Sequence, residues 1–95
     1  MNQVEAKLWE RLKKVNDPGA NLNVVDMGLI REMSMSEDGI VSVVFRPSSP
    51  VCPLAFVLAI DIKNALEEID EVSEVHLKVI DFARAEELNR MMEEA

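Results

Sequence analysis

Hydrophobic positions recur at helical spacing in three stretches of the chain. Apolar residues three to four positions apart predict a first helix over residues 2–15, and the Asn-Asp-Pro-Gly sequence at 16–19 predicts its end. A wide apolar stripe predicts a second helix over residues 53–69, which begins with a proline, a residue favoured at the first helical position. Residues 84–95 predict a short acidic helix with an apolar side that docks on the rest of the protein.

Two runs in the middle of the chain alternate between polar and apolar residues, as β-strands do. Strict alternation over residues 29–35 places Leu29 and Ile30 on opposite faces, and residues 40–46 alternate in the same way. The Ser-Glu-Asp-Gly sequence between the two runs contains an Asp-Gly turn, so the pair predicts a β-hairpin. A shorter apolar piece at residues 22–25 precedes the hairpin and predicts one more extended segment.

The last strand is predicted over residues 73–80, with alternate apolar residues facing inward and His76 and Lys78 facing outward. The elements then follow in the order α-β-β-β-α-β-α, which defines an α+β fold. We expect the helices to pack on one face of a small mixed sheet and to form a small two-layer sandwich. No repeat or linker interrupts residues 1–95, which predicts a single domain with residues 81–95 as a C-terminal helical tail.

The composition restricts the classes of function. The chain has 95 residues, with 18 acidic and 10 basic side chains and a formal net charge of -8. This balance argues against nucleic acid or an anionic membrane as a partner, because both attract basic surfaces. The longest apolar run, residues 51–60, is shorter than the roughly 20 residues that span a bilayer. The N-terminal sequence has no basic and apolar signal segment, so we expect a cytoplasmic protein.

The chain has one cysteine and one histidine, which excludes a disulfide within the chain and a complete Cys/His zinc site. The cysteine, Cys52, stands at the head of the predicted second helix, in the sequence Ser-Ser-Pro-Val-Cys-Pro. Free amides and the helix dipole favour an anion at a helix N-terminus, so a thiol there has its pKa lowered from about 8.5. Thiolate attacks electrophiles and binds iron or copper(I), which makes Cys52 the leading candidate for a metal, cluster or thiol site.

The residues beside Cys52 are expected to support it. The hydroxyl groups of Ser48 and Ser49 can donate hydrogen bonds to a thiolate, and Pro50 and Pro53 restrict the loop on either side. The competing interpretation is that Cys52 is a small buried apolar residue, as free cysteines often are. The residues alone leave both interpretations open.

A second candidate loop contains Asp26 and Gly28. Asp26 lies between apolar residues, where an acid either caps backbone amides or contributes to a site, and Gly28 suits a positive φ or a close backbone approach. Asp17 and Pro18 belong to a sequence typical of turns. The single histidine, His76, alternates onto the polar side of its strand and is expected to be an exposed residue that binds no metal.

The order of these features resembles a known family. One block consists of Asp17-Pro18 and the Asn-Val-Val-Asp-Met-Gly-Leu-Ile sequence at residues 23–30, and the other is Ser-Ser-Pro-Val-Cys-Pro-Leu-Ala at residues 48–55. Together they resemble the family called domain of unknown function fifty-nine, which includes SufT-like and PaaD-like proteins of iron–sulfur cluster assembly. The resemblance spans roughly residues 4–80 and implies an α+β domain of the iron–sulfur assembly superfamily. The resemblance implies that Cys52 corresponds to the motif cysteine of the family and that Asp26 corresponds to the loop aspartate of the family.

Two segments depart from the family pattern. Gly19 and Ala20 stand where many members have glutamate and an apolar residue, so a role for that glutamate is absent. After the last strand, many members have an Asp-Pro-Pro-Trp-type segment, whereas this chain has Asp-Phe-Ala-Arg at 81–84 and then the acidic helix. The resemblance therefore does not assign the chain to one subfamily.

The resemblance implies a factor that handles a cluster or metal, or delivers it to client apo-proteins, rather than an enzyme. One cysteine cannot hold an iron–sulfur cluster, which takes about four protein ligands. Bound iron or a bound cluster is therefore expected to be transient and shared with a second subunit or with another assembly protein. Two alternatives remain: a metal-free adaptor that recruits clients through its loops and acidic tail, and an enzyme with Cys52 as nucleophile.

Overall fold

The computed structural model describes residues 3–17, 21–51 and 54–94. These residues form three helices and five strands in an α+β fold, which confirms the predicted class. The order is α-β-β-β-β-α-β-α, with one more short strand than predicted. The elements are α1 (Gln3–Leu12), β1 (Asn16–Asp17), β2 (Leu22–Asn23), β3 (Ile30–Met35), β4 (Ile40–Phe45), α2 (Ala55–Glu67), β5 (Glu74–Val79) and α3 (Ala85–Glu94).

The main sheet has three strands in the order β3-β4-β5. β4 pairs antiparallel with β3 and parallel with β5, so the sheet is mixed, as predicted. β1 and β2 form a separate antiparallel pair of two residues each. The pairing of Asn16 and Asp17 with β2 was not predicted, and Val24 N–H donates to the carbonyl of Val15 at 2.9 Å next to them. The bond from Asn21 N–H to the carbonyl of Asp17 at 2.9 Å agrees with the predicted turn, of which residues 18–20 lie outside the described part of the chain.

The predicted β-hairpin is confirmed. The Ser36 hydroxyl accepts a hydrogen bond from Ile40 N–H at 3.2 Å, and Gly39 adopts a positive φ of 83° in the turn. The faces of β3 differ from strict alternation, because the register shifts between Ile30 and Glu32. This β-bulge turns Ile30 toward the interior beside Leu29, and the two side chains are 7% and 5% exposed.

The hydrophobic core lies between one face of the main sheet and the helices. Fully buried side chains of β4 and β5, such as Phe45 and Val79, face buried residues of α2, such as Leu58 and Ile62. The predicted inward side of β5 is confirmed by its alternating burial. The opposite face of the sheet remains polar and exposed, so the helices cover one face only. The strand residues exposed on that face are Glu32, Ser34, Ser42, Glu74, His76 and Lys78.

α1 ends three residues before its predicted end, and two ion pairs hold it to the far end of α2. Arg11 pairs with Glu68, and the Lys7 ammonium donates to a carboxylate oxygen of Glu71. The hydrogen bond from Lys7 lowers the pKa of the Glu71 carboxyl below its ordinary value. Two basic side chains of α1 therefore have a role within the fold.

α3 docks on the body of the protein through apolar side chains, as predicted. Leu88 is fully buried and Met92 is 5% exposed, while Met91 is half-buried. Lys63 of α2 is buried and donates to the carbonyl of Met92 at 3.2 Å. Within the part of the chain that the structure describes, no helix has the length and apolar character to cross a membrane.

We expect Gly39→Ala to destabilise the fold more than Gly28→Ala. Both glycines have positive φ, which costs an L-residue about 1–2 kcal/mol. A Cβ at residue 39 would also lie 2.7 Å from the carbonyl oxygen of Glu71, whereas a Cβ at residue 28 meets no atom within 4 Å. Urea denaturation followed by circular dichroism measures both variants. Equal losses in the free energy of unfolding would show that the close approach at Gly39 carries no cost.

Candidate functional site

Three connecting segments meet at one end of the main sheet. β3 begins where β4 ends because the two strands are antiparallel, and β5 ends beside β4 because those strands are parallel. Residues 23–29, which precede β3, residues 46–51, which follow β4, and residues 80–84, which follow β5, therefore lie together. We call this region the loop end. It contains residues 23–29 of the first sequence block and residues 48–51 of the second.

Backbone hydrogen bonds join the three segments. Arg46 N–H donates to the carbonyl of Leu29 at 2.8 Å, which links the first sequence block to the segment that leads into the second. Ala83 N–H donates to the carbonyl of Pro50 at 2.8 Å, which links the loop after β4 to the segment after β5. The guanidinium of Arg46 also lies 3.1 Å from a carboxylate oxygen of Asp81. The loop that leads to Cys52 is thus anchored on both sides.

Asp26 forms a side-chain pair with Asn23. The Asn23 amide donates to the Asp26 carboxylate at 2.8 Å, and Asp26 N–H donates to the side-chain oxygen of Asn23 at the same distance. Gly28 then closes the turn with a φ of 74° and donates its N–H to the carbonyl of Val25 at 3.0 Å. Asp26 is exposed, so its carboxylate both shapes the turn and faces solvent at the loop end.

Two of the residues predicted to support Cys52 make hydrogen bonds, one within the loop and one to the segment after β5. The Ser49 hydroxyl accepts a hydrogen bond from Val51 N–H at 3.2 Å, and the Pro50 carbonyl accepts the bond from Ala83. Ser48 is exposed. Cys52 and Pro53 lie outside the described residues, so the roles assigned to them stay predictions.

The start of α2 differs from the predicted one. The helix begins at Ala55 with Leu54 at the N-cap, and no side chain caps it by a hydrogen bond. Cys52 therefore precedes the N-cap by two positions in the sequence. Of the Asp17-Pro18 motif, Asp17 is buried in β1 at 5% exposure, and Pro18 lies outside the described residues.

A group of three side chains at the loop end was not foreseen from the sequence. The rings of Phe56 and Phe82 meet edge to face with centroids 6.1 Å apart, and the Arg84 guanidinium lies 4.6 Å from the centroid of Phe56. These contacts place the segment after β5 over the first turn of α2. The rarity of aromatic residues is the one signal that could have drawn attention to them, since two of the three phenylalanines in the sequence meet here.

Three apolar side chains in the loop before α2 and on α2 are exposed. Val51 is 75% exposed, Val57 is 51% exposed and Ile60 is 40% exposed. Val57 and Ile60 lie three residues apart on α2 and so share one side of the helix. Adjacent exposed apolar side chains are typical of surfaces that contact other proteins. We call these three residues the apolar surface.

The described residues do not form a complete metal site. No group of three or more His, Cys, Asp or Glu side chains that could hold a metal ion is present among them. His76 lies on the outer face of β5, where its Nε2 is 3.2 Å from a carboxylate oxygen of Glu74. The side-chain oxygen donors described at the loop end include the carboxylates of Asp26 and Asp81 and serine hydroxyl groups, which suit iron–sulfur clusters less well than thiolates do.

The fold and the loop end define a small α+β protein whose two sequence blocks meet at one end of a mixed sheet. The family model described as iron–sulfur cluster assembly protein matches residues 5–77. The chain therefore belongs to this family, and the resemblance inferred from the two blocks is confirmed.

Individual relatives agree with this membership. MJ1129 of Methanocaldococcus jannaschii, an uncharacterized protein, is 31% identical over 83 residues, which is 87% of each chain. The Fe-S protein maturation auxiliary factor YitW of Bacillus subtilis is 30% identical over 73% of this chain and 68% of its own. The crystal structure of a domain of unknown function DUF59 from Bacillus anthracis superposes with a TM-score of 0.76 at 28% identity, covering 80% of this chain and 73% of that one.

We expect Arg84→Met to raise the pKa of Glu87. Arg84 donates two hydrogen bonds to the Glu87 carboxylate, at 2.7 and 3.0 Å, and these hold the pKa of Glu87 below its ordinary value. A lowered carboxyl pKa means that the pair stabilises the fold above the unfolded-state pKa and loses this effect as pH falls through the folded-state pKa. Carboxyl NMR titration measures the shift.

Arg90→Met is the matched control, because Arg90 acts on Glu87 only through a weaker charge effect. We expect it to raise the pKa of Glu87 by less than Arg84→Met does. Equal shifts in the two variants would contradict a specific Arg84–Glu87 pair.

Proposed function

We propose that this protein is a maturation factor for iron–sulfur proteins that handles a cluster or iron as cargo through Cys52 and passes it to client apo-proteins. Family membership supports the general role in iron–sulfur assembly, and the printed name of YitW, a maturation auxiliary factor, agrees with it. The observation that carries the proposal is the anchored loop end. Before Cys52 in the sequence, the Pro50 carbonyl accepts a hydrogen bond from Ala83 N–H, and after Cys52 the helix α2 begins at Ala55.

The cargo must be held together with another molecule. A single cysteine supplies one of the roughly four ligands that a cluster takes, and the described residues add no group of three donors. The remaining ligands would come from a second copy of this chain, from another assembly protein or from small thiols. Binding is then transient, because the cargo leaves when the other molecule withdraws its ligands.

The loop end suits such a shared site. A thiolate that precedes a helix gains from the positive end of the helix dipole, and Ser48 and Ser49 bring hydroxyl donors to the same loop. The Asn23–Asp26 pair fixes the neighbouring turn, which makes Asp26 a supporting residue. The apolar surface beside the loop offers a partner a place to dock. We assign the protein to the cytoplasm, where its single thiol stays reduced.

We expect Cys52→Ser to lose at least about tenfold in cluster transfer, in line with the loss of a metal ligand or its close support. Wild type and variant are reconstituted anaerobically with iron and sulfide. Iron per chain and transfer to an apo-ferredoxin are then measured. The matched control is the double variant Cys52→Ser/Ser34→Cys, which keeps one thiol per chain but moves it to an exposed position on β3.

If the function requires a thiol at position 52, the double variant transfers the cluster as poorly as Cys52→Ser alone does. Equal iron content and equal transfer in wild type and Cys52→Ser would show that Cys52 does not handle the cargo.

A metal-free adaptor is the second candidate, and the exposed acids of α3 favour it. Glu86 and Glu93 are exposed, while Glu87 is engaged by Arg84. The adaptor hypothesis predicts that Cys52→Ser keeps activity in cells. It also predicts that charge reversal of the acids of α3 abolishes this activity, and the residues changed are Glu86, Glu87, Glu93 and Glu94. The measurement is the activity of a client iron–sulfur enzyme in cells that lack the wild-type protein. Full activity in the charge-reversed variants would exclude this version of the adaptor.

A further inference from the structure

Among the described residues, β5 has a neighbouring strand on one side only. Glu74 N–H donates to the carbonyl of Gly39 and Ile80 N–H donates to the carbonyl of Phe45, so even-numbered residues of β5 direct their backbone groups toward β4. In a strand, successive residues direct these groups to opposite sides. The N–H and C=O groups of Val75, Leu77 and Val79 therefore point away from β4, along an outer edge of the sheet.

α3 covers only the last part of this edge. The Asn89 side chain accepts a hydrogen bond from Val79 N–H at 2.7 Å and donates one to the Val79 carbonyl at 3.2 Å, as a neighbouring strand would. Among the described residues, no partner takes the outward groups of Val75 and Leu77. A cavity of about 620 Å³ lies against residues 73–78 instead, and Asn89, Met92 and Glu93 of α3 form part of its wall.

The exposed side chains of β5 have a symmetric charge pattern. Glu74, His76 and Lys78 alternate with the buried residues, and the acid and the base lie two positions on either side of the histidine. An antiparallel copy of the same strand centred on His76 would place each Glu74 opposite a Lys78. It would also place Val75 opposite Leu77, so that their outward backbone groups form the hydrogen-bonded pairs.

We propose that a second copy of this chain binds along the edge of β5 in this antiparallel register. The two three-stranded sheets then join into one sheet of six strands around a two-fold axis at His76. Registers displaced by two residues place Glu74 or Lys78 opposite His76 and lose the opposite-charge pairs. Registers displaced by one residue direct the free groups of Val75 and Leu77 against backbone groups that already bond within the partner's sheet.

The contact is short, because Asn89 already occupies the groups of Val79 and ends the pairing there. Two pairs of Val75 and Leu77 give four backbone hydrogen bonds, and the surface buried by so short an edge is below the roughly 1,600 Å² of a standard stable interface. We therefore expect a dimer that dissociates on dilution. The proposal is independent of Cys52, since none of the pairing residues belongs to the loop end.

The test uses charge exchange between chains, read by sedimentation equilibrium over a range of concentrations. In a dimer of Glu74→Lys chains, a lysine faces a lysine at both cross-strand positions. In a dimer of Lys78→Glu chains, a glutamate faces a glutamate at both positions. Each variant alone is expected to dimerise roughly tenfold more weakly than wild type, because two cross-strand pairs change from attraction to repulsion. An equimolar mixture of the two variants restores opposite charges at both positions and is expected to dimerise as wild type does.

Glu32→Lys is the matched control, because it makes the same charge change on the same sheet face but on β3. It is expected to leave the dimer unchanged. Circular dichroism verifies that every variant is folded. A wild-type protein that stays monomeric at all concentrations, a mixture that fails to recover, or a Glu32→Lys variant as weak as Glu74→Lys would overturn the proposal.

Discussion

The arrangement of this protein depends on the two different pairings of β4. Antiparallel pairing with β3 is satisfied by a tight turn, but parallel pairing with β5 requires the chain to cross from one end of the sheet to the other. α2 is that crossover, so it must begin at the end where β4 stops. Residues 46–51, which follow β4 on the way to α2, are therefore held at the loop end by topology. The buried side chains of Val41, Val43 and Phe45 make this pairing costly to change.

The segment after β5 completes the same end of the molecule. Asp81 adopts a positive φ of 52° and pairs with Arg46, after which Phe82 and Arg84 reach the first turn of α2. The docking of Leu88 then fixes the direction of α3. A change in the tail would thus alter the surroundings of the loop as well as the edge of β5.

Much of the fold followed from local periodicity, because burial on one side imposes a period of two on strands and of 3.6 on helices. The faces of β5, the Asp-Gly hairpin and the docking side of α3 were predicted for this reason. Ile30 was placed on the wrong face because a β-bulge adds one residue, which strict alternation does not anticipate. The contacts of Arg46 and Phe82 join segments more than 25 residues apart in sequence, and no local pattern encodes such contacts.

In the proposed function, the shortage of ligands in one chain favours transfer over storage. A site with all four ligands from one protein would hold a cluster as a permanent part of the fold, since every ligand adds to the binding free energy. A single thiolate at the loop end would hold the cargo only while another molecule shares it. The exposed apolar surface of Val51, Val57 and Ile60 would bring that molecule close enough to share. Docking and release, rather than metal affinity, would then determine where the cargo goes.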